Sequence, residues 1–190
     1  MTIIRHLPLL LLLGLFFSAT ACGESSIEID GGPPNRRLCV YTLYIKTGGQ
    51  CVAPTTSTIS VTLENARGAS VHVADIKSWG LMGPKHTYFR RNSVDIFVGV
   101  HPCIAPPICR IKVTSTGSGC SPDWYLSYVD VTSTGLNEKC YKTHFRVNQW
   151  LSRIFPPCKL SAVVDRCPCL DGTARSDGTF EVENSEQLVA

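Results

Sequence analysis

From Tyr141 to Leu151 the side chains alternate. Tyr141, Thr143, Phe145 and Val147 fall on one face of an extended segment, and Lys142, His144, Arg146 and Asn148 on the other. A period of two marks a strand with one buried face, because successive side chains of a strand point to opposite sides. Cys109, Ile111 and Val113 alternate in the same way with Arg110, Lys112 and Thr114, and Ile59, Val61 and Leu63 with Ser60 and Thr62. Val40 to Lys46, Val71 to Ile76, Val94 to Val98, Trp124 to Val131 and Leu160 to Val164 are rich in β-branched and aromatic residues and read as further strands. Turn chemistry separates them: Thr47-Gly48-Gly49, Arg67-Gly68, Pro106-Pro107, Gly117-Ser118-Gly119 and Thr134-Gly135. No long stretch carries a helical stripe. The pattern predicts an all-β fold, an antiparallel sandwich of eight short strands.

The ends of the chain differ from this core. Arg5 precedes an apolar run from Leu7 to Phe17, and Ser18-Ala19-Thr20-Ala21 follow. A basic start, a short apolar run and an A-x-A end predict a secretory signal peptide over 1–21, cleaved to leave Cys22 first. The run is shorter than the ~20 residues needed to span a bilayer. Residues 22–38 read as a polar segment, 39–169 as one domain, and 170–190 as a disordered acidic tail. The expected location is extracellular, or the lumen of the endoplasmic reticulum.

Ten cysteines in 190 residues fit that compartment, where they form a stapling framework. Three pairs are expected. Cys103 and Cys109 flank a short turn-rich link, Cys39 opens the first strand while Cys167 closes the last, and Cys51 and Cys120 stand in loops that share one end. Nine cysteines lie between Cys39 and Cys169, so either Cys22 takes part or one thiol stays free. No C-x-x-C or C-x-x-H spacing favours a metal site.

Charge narrows the partners. Loss of Arg5 with the signal leaves 17 basic against 15 acidic residues, a net of +2. That balance, without an arginine stripe, argues against nucleic acid. Catalytic signatures are missing too: there is no G-x-S-x-G elbow and no H-E-x-x-H. His144 reads as a solvated side chain on a polar strand face, and Asp95 and Asp123 as turn or strand-end hydrogen bonders. The stretch with most functional content is Trp79-Gly80-Leu81-Met82-Gly83-Pro84, followed by Lys85, His86, Arg90 and Arg91. Three large apolar side chains in a segment broken by Gly and Pro either plug one end of the core or are offered to a ligand. Trp124 and Trp150, in strand contexts, are expected in the core.

Five segments recur in a recognisable order: CVYTLYIKTG, ISVTLENARG, IKSWGLMGPKHTYFRRNSVDIFVG, SPDWYLSYVDVTSTG and FRVNQWL. Together they resemble the PLAT/LH2 domain across 39–169, and specifically the stand-alone, stress-related PLAT proteins of plants. The resemblance implies an eight-stranded sandwich, no attached catalytic domain, and a module that docks lipids or proteins. The family's first loop carries a Gly-Thr-Asp whose Asp binds calcium. Here the aligned stretch is Pro54-Thr55-Thr56, and the second, often Asp-rich, loop is Asn65-Ala66-Arg67-Gly68. Calcium takes six to eight oxygens, largely from carboxylates, so no calcium and no other cofactor is expected. The expectation is therefore a secreted, non-catalytic module in plant stress response. It docks to a lipid or membrane surface through Trp79, Leu81, Met82, Lys85, Arg90 and Arg91. The alternative is an extracellular module that binds a protein partner without lipid.

Overall fold

The computed structural model describes residues 37–136 and 138–168. The expected signal peptide, most of the polar segment and the acidic tail lie outside them. The eight strands are β1 (Leu38–Thr47), β2 (Ile59–Asn65), β3 (Ser70–Val73), β4 (Val94–Pro102), β5 (Ile108–Ser115), β6 (Trp124–Gly135), β7 (Glu138–Leu151) and β8 (Ser161–Asp165). They form two antiparallel four-stranded sheets, ordered β4-β1-β6-β7 and β3-β2-β5-β8.

The alternation read from the sequence is what buries the core. Tyr41, Leu43 and Ile45 of β1 face Ile59, Val61 and Leu63 of β2 across the sandwich, all of them buried. Polar groups on the large aromatic residues of this interior are matched: the Trp124 indole N–H donates to Thr47 Oγ1 at 3.0 Å and the Tyr41 hydroxyl to the Pro102 carbonyl at 3.1 Å. Unpaired, each would cost about 1–3 kcal/mol.

Strand registers sort the connections into two ends. Lys46 pairs with Val94, Trp124 with Leu151, and Ile59 with Ser115, so loops 48–58, 74–93, 116–123 and 152–160 gather at one end, the loop end. The β2–β3, β4–β5 and β6–β7 connections lie at the other, where β1 begins and β8 finishes.

That second end carries the staples, and the pairing corrects the expectation. Cys39 bonds Cys103, with Cα atoms 4.9 Å apart, and Cys109 bonds Cys167 at 4.7 Å. Cys103–Cys109 does not form because the link between them crosses from one sheet to the other. Each cysteine therefore meets the neighbouring strand of its own sheet, Cys103 beside β1 and Cys109 beside β8. Cys39–Cys167 fails for the same reason. Cys140 is also disulfide-bonded. Cys51 and Cys120 are both free and exposed, as is Cys158. Their loops share the loop end but run antiparallel: Tyr125 N–H meets the Ala53 carbonyl, and Thr56 N–H the Ser121 carbonyl. This arrangement places Cys51 and Cys120 at opposite ends of the shared stretch.

Three details of the elements also differ. The third strand stops at Val73, and Ile76–Trp79 is a 3-10 helix capped by Asp75, whose carboxylate accepts the Lys77 N–H at 3.0 Å. Tyr141 is exposed, because Thr143 is already level with Ile108 at the start of β5 and Tyr141 reaches beyond the facing sheet. Trp150 is half-buried on the outer face: Leu151 takes the inward position, and the indole packs edge-on to Tyr125 at 5.2 Å and against Phe155 at 4.4 Å.

Candidate functional site

The loop between β3 and β4 carries the residues singled out from the sequence, and it is tightly braced. Its 3-10 helix brings the Trp79 ring over Gly99 of β4, where a side chain at 99 would collide with the indole. Gly99 lacks a Cβ at the one place where the ring needs the space. Trp79 is thus half-buried against the core and acts as the plug that closes the open side of the sandwich. Gly80 then bridges to Phe97, and Leu81 N–H donates to the Ile96 carbonyl at 3.0 Å. The segment lies along the β4 edge as a short extra strand. The Tyr88 hydroxyl accepts the Met82 N–H at 3.0 Å, and its ring packs 5.1 Å from Phe97.

The return of the loop is organised by a buried carboxylate. Asp95, fully buried, accepts the Phe89 N–H at 2.7 Å and the Ser93 hydroxyl at 3.2 Å. His86 Nε2 lies 2.6 Å from its other oxygen. Phe89 adopts a φ of 61°, a conformation that costs a non-glycine residue energy, and its ring is driven into the core 5.0 Å from Trp124. Asp95 holds that turn, as expected for a strand-end hydrogen bonder. Asp123 likewise accepts the Ser152 hydroxyl.

With Trp79 tucked in, what remains on the surface is Leu81, 61% exposed, and Met82, 40% exposed. Lys85, Arg90 and Arg91 of the same loop are exposed as well, whereas His86 is turned back towards Asp95 and leaves the basic fringe. One neighbour was missed in the sequence. Val52, 53% exposed, sits in the β1–β2 loop alongside, since Arg91 Nη1 approaches Cys51 Sγ at 3.9 Å. It stands between Cys51 and Ala53 just after a Gly-Gly turn, where no periodicity flags it.

The two stretches aligned with calcium loops lie at opposite ends of the sandwich and share no site. Asn65 Oδ1 accepts the N–H groups of Arg67 and Ala69, and the Thr55 hydroxyl donates to the Ser121 carbonyl. Among the described residues no group of three His, Cys, Asp or Glu is placed to hold a metal. His144 is exposed on the outer face of the first sheet, 2.6 Å from Asp130. A shallow cavity of about 230 Å³ lies at the stapled end, between Tyr141 and the Cys39–Cys103 bridge, and it includes none of the residues chosen for docking.

The family model for the PLAT/LH2 domain matches residues 41–155, which runs from the second inward residue of β1 to the β7–β8 loop. The chain belongs to the PLAT/LH2 family. Its relatives include PLAT domain-containing protein 1 of Arabidopsis thaliana, 39% identical over 163 residues that cover 85% of this chain and 84% of that protein. PLAT domain-containing protein 2 of the same plant is 41% identical, covering 68% and 72% of the two chains. Among solved structures, coral 8R-lipoxygenase superposes with a TM-score of 0.51 at 20% identity. The match covers 66% of this chain but 16% of that one, so the likeness is to the fold of one PLAT part. That lipoxygenase is described as activated by calcium through a C2-like domain.

Proposed function

We propose that this PLAT protein is a non-catalytic module, exported from the cytosol, that docks to anionic lipid surfaces through the loop before β4. The observation that carries it is the exposure of Leu81 and Met82 on a loop whose backbone is already fixed by β4, Tyr88 and Asp95, and which also exposes Lys85, Arg90 and Arg91. Full burial of one such side chain is worth roughly 1.5–3 kcal/mol, and each basic residue near an anionic surface adds about 1 kcal/mol. A loop ordered in advance loses little freedom on binding, so most of that gain survives as affinity. The bridged cysteines support an oxidising compartment. Trp79 contributes as the brace beneath the surface and not as an inserting side chain.

The test is sedimentation with phosphatidylcholine vesicles, with and without phosphatidylserine. Binding is expected to require the anionic lipid and to fall with salt. The paired change Leu81→Asp and Met82→Asp is expected to weaken it at unchanged melting temperature. A stable double variant that binds as wild type does would overturn the site. A wild type that ignores every vesicle would transfer the surface to a protein partner.

A further inference from the structure

We infer that docking is end-on and two-footed, the second foot being the β7–β8 loop with Ile154 at its tip; this rests on the lipid-docking function proposed above. Ile154 is 69% exposed, more than Leu81. It is not a loose side chain on a wandering loop. Ser152 is fully buried, and its hydroxyl oxygen accepts the N–H of Ile154 at 2.9 Å and of Phe155 at 3.0 Å while donating to Asp123. Ser152 N–H donates to the Lys159 carbonyl and Cys158 N–H to that of Phe155. Beneath the tip, Phe155 stacks on Trp150, which meets Tyr125 edge-on. Buried hydrogen bonds and an aromatic stack hold a β-branched apolar side chain out in water, and none of the described residues covers it.

Charge selects the occupant. Arg153 and Lys159 flank Ile154 and are exposed, and the neighbouring carboxylate, Asp123, is taken up by Ser152. With Lys85, Arg90 and Arg91 on the first foot, exposed basic side chains share the loops of both apolar tips, which matches an anionic lipid surface.

Topology sets the geometry. The first foot precedes β4 and the second follows β7, the outermost strands of one sheet, and Val52 follows β1 between them. Three strand spacings of about 4.8 Å separate β4 from β7, and the Gly80–Leu81 segment paired outside β4 adds a fourth, so the feet stand roughly 19 Å apart along one sheet end. Apolar tips strung along a line match a flat surface better than a single groove-seeking peptide. With both feet down, the strands stand upright on the membrane, and Leu38 and Asp165, at the opposite end, point into solvent.

The experiment compares three variants of the full chain on vesicles of phosphatidylcholine and phosphatidylserine, each with its melting temperature. Ile154→Asp is expected to lower affinity about tenfold or more. Leu136→Asp removes an apolar side chain that is 70% exposed but lies at the stapled end, and it is expected to change nothing. In a Cys51→Ser, Cys120→Ser background, an environment-sensitive fluorophore on Cys158 is expected to shift to the blue on vesicles. An Ile154→Asp protein that binds as wild type, with a Cys158 probe that stays unshifted, refutes the second foot while Leu81→Asp still reports the first. If Ile154→Asp lowers the melting temperature, Ile154→Ser and the probe decide in its place. Loss of binding in Leu136→Asp refutes the end-on orientation. Failure of wild type to bind any vesicle overturns the docking function itself, and the second foot with it.

Discussion

Gly99 and Trp79 are coupled by shape. The indole occupies the space in which any larger residue at 99 would place its first carbon. Gly99→Val should cost about 1–3 kcal/mol by overpacking, and it should lift Trp79 towards water, seen as a red shift in emission alongside a lower denaturation midpoint. Tyr41 offers a second test. Its hydroxyl donates to Pro102 and accepts the Ile104 N–H at 3.0 Å, so Tyr41→Phe leaves that N–H without a partner, at roughly 1–3 kcal/mol. Burial pushes the Tyr41 phenol above its ordinary value of 10.0, and the Ile104 N–H draws it part of the way back. The folded protein therefore holds this proton more tightly than the unfolded chain. The stability it brings is complete below pH 10 and declines as pH rises past that value. Denaturation measured between pH 9 and 11 should show a steeper alkaline decline in wild type than in Tyr41→Phe. Single residues were unevenly legible in the sequence. Asp95 and Asp123 announced themselves by standing at turns, and His144 by its polar face. Val52 and Ile154 did not, because exposure of an apolar loop residue depends on which other segment covers it.

Among the elements, the loop from Ala74 to Ser93 tests how a buried carboxylate holds an irregular segment. Asp95→Ala removes the acceptor for Phe89, Ser93 and His86 at once. The stranded Phe89 N–H alone costs about 1–3 kcal/mol, so the open population of the loop should rise roughly tenfold or more. Native-state trypsin cleavage at Arg90 and Arg91 should accelerate by a similar factor. The strands were legible because alternation and burial are one phenomenon in a two-layer fold. The same parity that places Phe145 and Leu151 inside places Trp150 outside, and its size obscured that signal. The end of β3 was hidden for another reason: Val71 to Ile76 is apolar throughout most of its length, and only the cap made by Asp75 stops the strand at Val73. The two stretches aligned with calcium loops are close in sequence, yet β2 runs between them and sets them a strand's length apart.

At the scale of the molecule, the staples were the least legible feature. Spacing suggested that Cys103 and Cys109 were neighbours, but pairing depends on the sheet to which each strand belongs. By loop-closure entropy each observed bridge, spanning 64 or 58 residues, contributes about 4 kcal/mol. Cys109→Ser with Cys167→Ser should lower stability by an amount of that order. Peptide mapping should recover Cys39–Cys103 and Cys109–Cys167, and Cys51, Cys120 and Cys158 should react with a thiol reagent in the native state. Calcium is expected to leave the melting temperature unchanged, because Thr56 and Arg67 replace acidic ligands in loops that never meet. A ligand at 100 times its dissociation constant would add about 2.7 kcal/mol, a shift that is easily seen.

The two bridges lie in tandem along the chain, and this has a mechanical consequence. A pull between Arg37 and Pro168 enters at Cys39, passes through sulfur to Cys103, follows the backbone to Cys109 and leaves through sulfur at Cys167. Only the link Ile104–Ile108 carries tension between the bridges, and both sheets hang outside that path. An oxidised molecule stretched by its ends should lengthen by a few nanometres and keep its sandwich intact. The reduced one should pay out on the order of 40 nm of chain as the strands peel apart. Held by both ends of the domain, the oxidised protein would transmit force as a short inextensible cord with the docking loops suspended from it unstrained.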